Sequence, residues 1–157
     1  MRGMNMSSSQ PGMEIGFTWP IRVYYEDTDA GGIVFYANYL KFFERARTEW
    51  LRACGVDQRR LADETGTMFV VRSTGLDYRA PARLDDVITV ISRIERLGRA
   101  SVDFVQEAWR DGTLLATGTI RVGCVERSAF KAAAIPPSVL AALRRGPVTT
   151  GLSTADD

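Results

Sequence analysis

The sequence predicts an α+β domain in which a curved five-stranded antiparallel sheet wraps around one long central helix. Three observations carry this. A β-rich run, FTWPIRVYY, comes first. A wide apolar helical pattern follows between Tyr36 and Ala53. After Gly66 the apolar period changes from helical to two and stays so through four segments. A single sheet has to cover its apolar face, and the one long apolar helix is the element suited to do it.

The elements follow in order. Residues 1–15, rich in Met, Ser, Gly and Pro and without an apolar h-region, read as a flexible leader and not as a signal peptide. In the strand from Phe17 to Tyr25, Ile21, Val23 and Tyr25 alternate with Arg22 and Tyr24, and Pro20 marks it as an edge. EDTDAGG supplies turn chemistry. The helix from Tyr36 to Ala53 carries Leu40, Phe43, Arg47, Trp50 and Cys54 on one side. Tyr39, Phe42, Ala46 and Ala53 lie beside them, and Gly55 stands as the C-terminal cap. Asp57 to Glu64 forms a shorter helix before Gly66.

TMFVVRSTGLDYRA, DVITVISRIERLG, RASVDFVQEAWR and TLLATGTIRVGCV then read as four successive strands of a meander. They are joined at APARLDD, near Gly98 and at Asp111-Gly112, a strong hairpin pair. PPSVLAALRR opens with proline and makes a short terminal helix. The folded unit is thus residues 16–145, with residues 146–157 as a flexible tail. A sheet of this kind leaves edge strands open, and pairing them across a two-fold axis predicts a homodimer or homotetramer.

A net charge of +1 gives no general pull toward nucleic acid or anionic membrane. No apolar run approaches the roughly 18 residues that span a bilayer, and the cytoplasm is the simplest location. Cys54 and Cys124 match no paired metal spacing and read as buried free thiols. No metal and no cofactor are expected.

The chemistry concentrates in EDTDAGGIVFYANYLKFFERARTEW, in a chain that has no histidine. Asp27 reads as an organiser of the turn through side-chain-to-backbone bonds. For Asp29 position alone leaves turn chemistry and reactivity open. Gly31 and Gly32 permit either a tight turn or close approach of backbone to a ligand. The free N–H groups at the start of the helix, near Tyr36, point back toward this loop and suit negative charge. A carboxylate beside such amides can attack a carbonyl or activate water while the amides hold the developing oxyanion.

YYEDTDAGGIVFYANYLKFFERARTEWL resembles the signature of hotdog-fold acyl-CoA thioesterases. Within them it is most similar to the Tol-Pal-associated enzymes of the 4-hydroxybenzoyl-CoA thioesterase group. The likeness continues through FVVRSTGLDYRAPARLDD and the later strands to the IPPSVLAAL tail. It implies the hotdog fold, an acyl-CoA substrate, and Asp29 as the catalytic carboxylate, either nucleophile or general base. It also implies the Tyr36 backbone N–H as the donor to the thioester carbonyl. Tol-Pal-associated members often carry His where this chain has Tyr36, whereas 4-hydroxybenzoyl-CoA thioesterases can carry Tyr, so the subgroup stays open. Gly32 is the candidate for close approach of backbone to substrate, and by the same resemblance Glu44 takes a position that contacts the acyl part. Arg99 and Ser101 take positions that contact the CoA nucleotide, with Ala100 replacing a basic residue between them.

The expectation is hydrolysis of an acyl-CoA thioester to free acid and CoA, for which a thiolate leaving group needs little acid assistance. The alternatives are a 4-hydroxybenzoyl-type aromatic thioesterase, or a non-catalytic scaffold binding acyl carrier protein in envelope or lipid metabolism.

Overall fold

The computed structural model describes residues 16–147; the expected leader, and the tail from residue 148 onward, lie outside them. The strands are β1 (Gly16–Arg22), β2 (Thr67–Tyr78), β3 (Val87–Leu97), β4 (Ser101–Arg110), β5 (Thr113–Glu126) and β6 (Lys131–Ala132). The helices are α1 (Asn38–Ala53), α2 (Gln58–Thr65) and α3 (Pro137–Arg145). The antiparallel sheet runs β1-β3-β4-β5-β2, with β6 added on β5, and it curls around α1.

Two expectations need correction. The four later strands do not form a simple meander, because β2 pairs with β5 and not with β3. Residues 79–86 are too long for a tight hairpin, and they carry the chain across to the far side of the sheet. The sheet also gains the short β6, where Val125 pairs with Ala132 after a turn closed by the Glu126 carboxylate. The hairpin at Asp111-Gly112 is as expected, with φ of 50° and 87° at its two residues. β1 is an edge strand, as Pro20 implies, but it stops at Arg22 and yields to a 3-10 turn at Tyr25–Asp27.

The helix begins at Asn38, two residues later than the pattern suggested, after i→i+3 bonds from Asn38 N to Phe35 O and from Tyr39 N to Tyr36 O. Its buried face is Tyr39, Phe42, Phe43, Ala46, Trp50 and Leu51, whereas Leu40 is exposed. Inward-facing sheet residues complete the core: Phe17 stacks on Trp50 at 6.0 Å, and Trp50 meets Phe104 edge-on at 5.6 Å. Asp57 caps α2 by accepting from Arg59 N and Arg60 N, and Gly66 ends it at φ 72°. Cys54 and Cys124 are free and buried, and burial pushes both thiols up.

Candidate active site

The segment between β1 and α1 is a two-limbed loop. An isolated antiparallel bridge pairs Thr28 with Val34, and a second pairs Ile33 with Arg83 on the crossing between β2 and β3. Val34 N donates to Ala82 O at 2.8 Å, so the loop is pinned to the sheet crossing as well as to the helix. A loop held at both limbs presents its tip in one place, which is what a reacting group needs.

The two aspartates have divided their work. Asp27 is 3% exposed; its Oδ2 accepts from Tyr24 N and its Oδ1 from Asn38 Nδ2, each at 2.8 Å. It organises the turn, as expected, and through Asn38 it also ties the turn to the first residue of α1. Asp29 is exposed at the tip, where its Oδ1 accepts from Gly31 N at 2.8 Å. Its second oxygen makes no hydrogen bond to the described residues. Asp29 N donates to Ile33 O and Gly32 N to Asp29 O, which closes the tip around the carboxylate. Gly32 supplies the positive φ of 82° that this closure requires.

Tyr36 lies on the opposite limb, just ahead of α1. The N–H groups of Tyr36 and Ala37 have no acceptor among the described residues, and the helix has no side-chain cap at its start. One loop therefore presents an unpaired carboxylate oxygen on one limb and unpaired helix-start amides on the other. The Tyr36 side chain is 60% exposed and sits between Phe35, at 4.9 Å, and Tyr78 of β2, edge-on at 5.7 Å. Burial and the neighbouring Tyr36 phenol raise the Tyr78 hydroxyl above its ordinary value.

The remaining expected residues are not gathered here. Glu44 is exposed two turns along α1, where its Oε2 accepts from Thr48 Oγ1 at 2.9 Å. Arg99 and Ser101 lie at the β3–β4 turn, at the other end of the sheet from the loop. The register makes this plain: Arg22, at the loop end of β1, pairs with Val87, whereas the turn follows Leu97. Sequence reasoning missed Asn38, Gly31 as the donor to Asp29, and Tyr78. Asn immediately inside a helix start, eleven positions after an Asp, was the available signal for the first. Among the described residues no group of His, Cys, Asp and Glu side chains is placed to hold a metal, and no helix is long and apolar enough to cross a membrane.

The profile of the Thioesterase superfamily matches residues 31–117. An acyl-CoA thioesterase, YbgC, of Haemophilus influenzae is 43% identical over 130 residues, covering 83% of this chain and 96% of that protein. A probable thioesterase from Bartonella henselae superposes with a TM-score of 0.72 at 32% identity, covering 77% of this chain and 99% of that one. A 4-hydroxybenzoyl-CoA thioesterase variant solved with 4-hydroxybenzoyl-CoA shares the fold at 20% identity, with a TM-score of 0.73 over 82% of this chain and 99% of that one. The fold is the hotdog fold, and the chain belongs to the thioesterase superfamily.

Proposed function

We propose that this chain hydrolyses acyl-CoA thioesters to free acid and CoA, with Asp29 as the reacting carboxylate and the Tyr36 N–H as the donor to the carbonyl oxygen. The observation that carries the reading is the single pinned loop that offers both an unpaired carboxylate oxygen and unpaired helix-start amides. The similarity to acyl-CoA thioesterases supports it. As a nucleophile, Asp29 adds to the thioester carbon, CoA leaves as the thiolate, and water hydrolyses the resulting anhydride. As a general base, it takes a proton from the water that adds. In both routes negative charge grows on the carbonyl oxygen, where a prepositioned amide acts most strongly. Asp29→Asn retains an acceptor for Gly31 N and removes the reactive carboxylate. It should fold and lose about 10²-fold or more in turnover of acyl-CoA, read as free thiol release. Near-normal turnover in that variant would sink the assignment. Binding of every acyl-CoA with turnover of none, in the wild type, would favour the scaffold reading instead.

One observation favours an aromatic acyl group as a second reading. The rings of Phe35, Tyr36, Tyr39 and Tyr78 adjoin one another beside the loop, with 5.8 Å between Tyr39 and Tyr78. A panel of aromatic and short aliphatic thioesters distinguishes the two by their kcat/KM ratio. The same carboxylate chemistry extends to thioesters held on acyl carrier protein, and the cytoplasm, where CoA thioesters are made, is the compartment it suits.

The assembly follows from the open edge. β2 has β5 on one side and no strand on the other among the described residues, and Val71 on it is 51% exposed. Two-fold pairing of β2 edges makes one continuous sheet across a homodimer, and a homotetramer then requires a further face. Because a two-fold axis reverses strand direction, it carries the β3–β4 turn of the second copy to the end where Asp29 lies. Arg99 and Ser101 are then available to the nucleotide of a CoA bound at the first copy's loop, with Gly32 and Glu44 contributing to the acyl side.

A further inference from the structure

Among the described residues, Arg47 is a half-buried cation whose position the hydrolysis reading does not use. It stands on α1 facing the sheet. Nη1 donates to Gln106 Oε1 at 2.9 Å, and the guanidinium carbon lies 5.9 Å from the centre of the Phe104 ring. Gln106 is itself fully buried and committed, donating from Nε2 to Phe43 O and to Ser92 Oγ. The guanidinium makes no ion pair among the described residues. Glu44, one turn away, is turned to the Thr48 hydroxyl instead. Burial lowers Arg47 to about 10, opposed in part by the charge of Glu44. Desolvating a cation without an acid partner opposes folding, so a ligand that supplies the missing charge has a clear electrostatic gain.

The surroundings say what kind of ligand. Arg47 lines a cavity of about 120 Å³ between α1 and the sheet, whose other walls are mainly apolar, among them Leu51, Phe69, Val71 and Phe104, with Glu44, Thr48 and Gln58 as the polar residues. It also lines the adjoining hollow that runs back along α1 toward Leu40. A largely apolar chamber in which Arg47 is the one cation, and in which the Glu44 carboxylate is held by the Thr48 hydroxyl, matches an anion on a short apolar stem seated on the Arg47 side. The planar fork, with one of its five N–H groups engaged by the described residues, matches a carboxylate.

We propose that Arg47 is a carboxylate-recognition residue of this cavity. Its ligand is either the free acid released by hydrolysis or the distal carboxylate of a dicarboxylic acyl chain. This deepens the thioesterase reading and rests on it for the source of the ligand, but binding itself requires no turnover.

The test is an NMR titration of the wild-type protein with hexanoate and with hexan-1-ol, which share a stem and differ in charge. Hexanoate should bind about tenfold tighter or more and shift the Arg47 Nε–H resonance. Arg47→Met should remove that preference while retaining the alcohol's affinity, and Arg47→Lys should keep part of it. Equal binding of the two probes to the wild type overturns the proposal without any variant, so poor folding of Arg47→Met leaves it decidable. Two kinetic arms assign the source. Succinyl-CoA losing about tenfold in kcat/KM relative to butyryl-CoA in Arg47→Lys supports a distal carboxylate. Competitive inhibition by hexanoate that weakens in the same variant supports the product. Hexanoate binding that changes neither overturns the link to the reaction. An Asp29→Asn protein that is inactive or active still reports the probe preference, so the two proposals fail separately.

Discussion

Asn38 Nδ2 donates to Asp27 Oδ1 at 2.8 Å, joining the turn after β1 to the first residue of α1 inside the protein. With Tyr24 N on the other carboxylate oxygen, Asp27 fixes the angle at which the chain enters the helix. Replacing Asn38 by Ala leaves a buried carboxylate oxygen unpaired, and replacing Asp27 by Ala leaves the Asn38 amide without its acceptor. Each should destabilise by about 1–3 kcal/mol, seen as a lower urea midpoint at unchanged slope. Asp29→Asn, at the exposed tip, should remain within about 0.5 kcal/mol of wild type. A reversed order would mean that the roles of the two aspartates have been exchanged.

Gly31 makes a sharper test of the loop tip than Gly32. A Cβ on Gly31 would come within 3.2 Å of Asp29 Oδ1, whereas one on Gly32 meets nothing within 4 Å but sits at φ 82°. Gly31→Ala should therefore displace the carboxylate and lower kcat with little change in stability. Gly32→Ala should chiefly cost backbone strain, about 1 kcal/mol or more, seen in the melting curve. Parallel measurement of kcat and Tm on the two variants checks the division.

The contrast between these glycines also shows what a sequence can carry. The period of the apolar residues placed Phe42, Phe43 and Trp50 on the covered side of the helix correctly, because burial and period are linked residue by residue. It could not say that β2 pairs with β5, since alternation marks a strand's two faces and leaves its neighbour unstated. The same gap separates Arg99 and Ser101 from Asp29: which end of a sheet a turn occupies is decided by pairing, not by pattern. At the site, Asp27 was legible as a turn organiser from local chemistry. Its bond to Asn38 was not, because it spans eleven residues and depends on how the helix is entered. Arg47 was legible as facing the core, and its missing acid partner became visible only with the side chains around it.

On the outer face, Arg121 clasps Asp103 across β4 and β5 with Nε to Oδ1 at 2.8 Å and Nη2 to Oδ2 at 3.1 Å. The Arg121 guanidinium holds the Asp103 carboxyl below its ordinary value, through hydrogen bonding first and charge second. A depressed folded-state value means that this stabilisation is complete above the unfolded carboxyl's range and is lost as pH falls through the folded one. Asp103→Asn should thus lower stability near neutrality and flatten its decline below about pH 4. Because Arg121 is half exposed, the difference should shrink in high salt. Urea midpoints across pH 2–7, about the range in which carboxyls titrate, give the comparison.

Gly118 sits where β5 passes under α1, and the space above it belongs to Phe43. An added Cβ would lie 2.8 Å from Phe43 Cε2 and 3.1 Å from Ile120 Cδ1, both on side chains held in the core. Phe43 is fully buried against the helix and cannot swing away without opening a cavity elsewhere. Gly118→Ala should therefore destabilise by about 1–3 kcal/mol despite the usual gain from reducing the freedom of the unfolded chain. Gly112→Asn offers the control, since its φ of 87° lies in an open turn with nothing within 4 Å of a Cβ. Asn tolerates that region better than most residues, so its cost should stay below about 1 kcal/mol. If Gly118→Ala were as mild as Gly112→Asn, α1 would have to sit further from the sheet than the Phe43 contact requires.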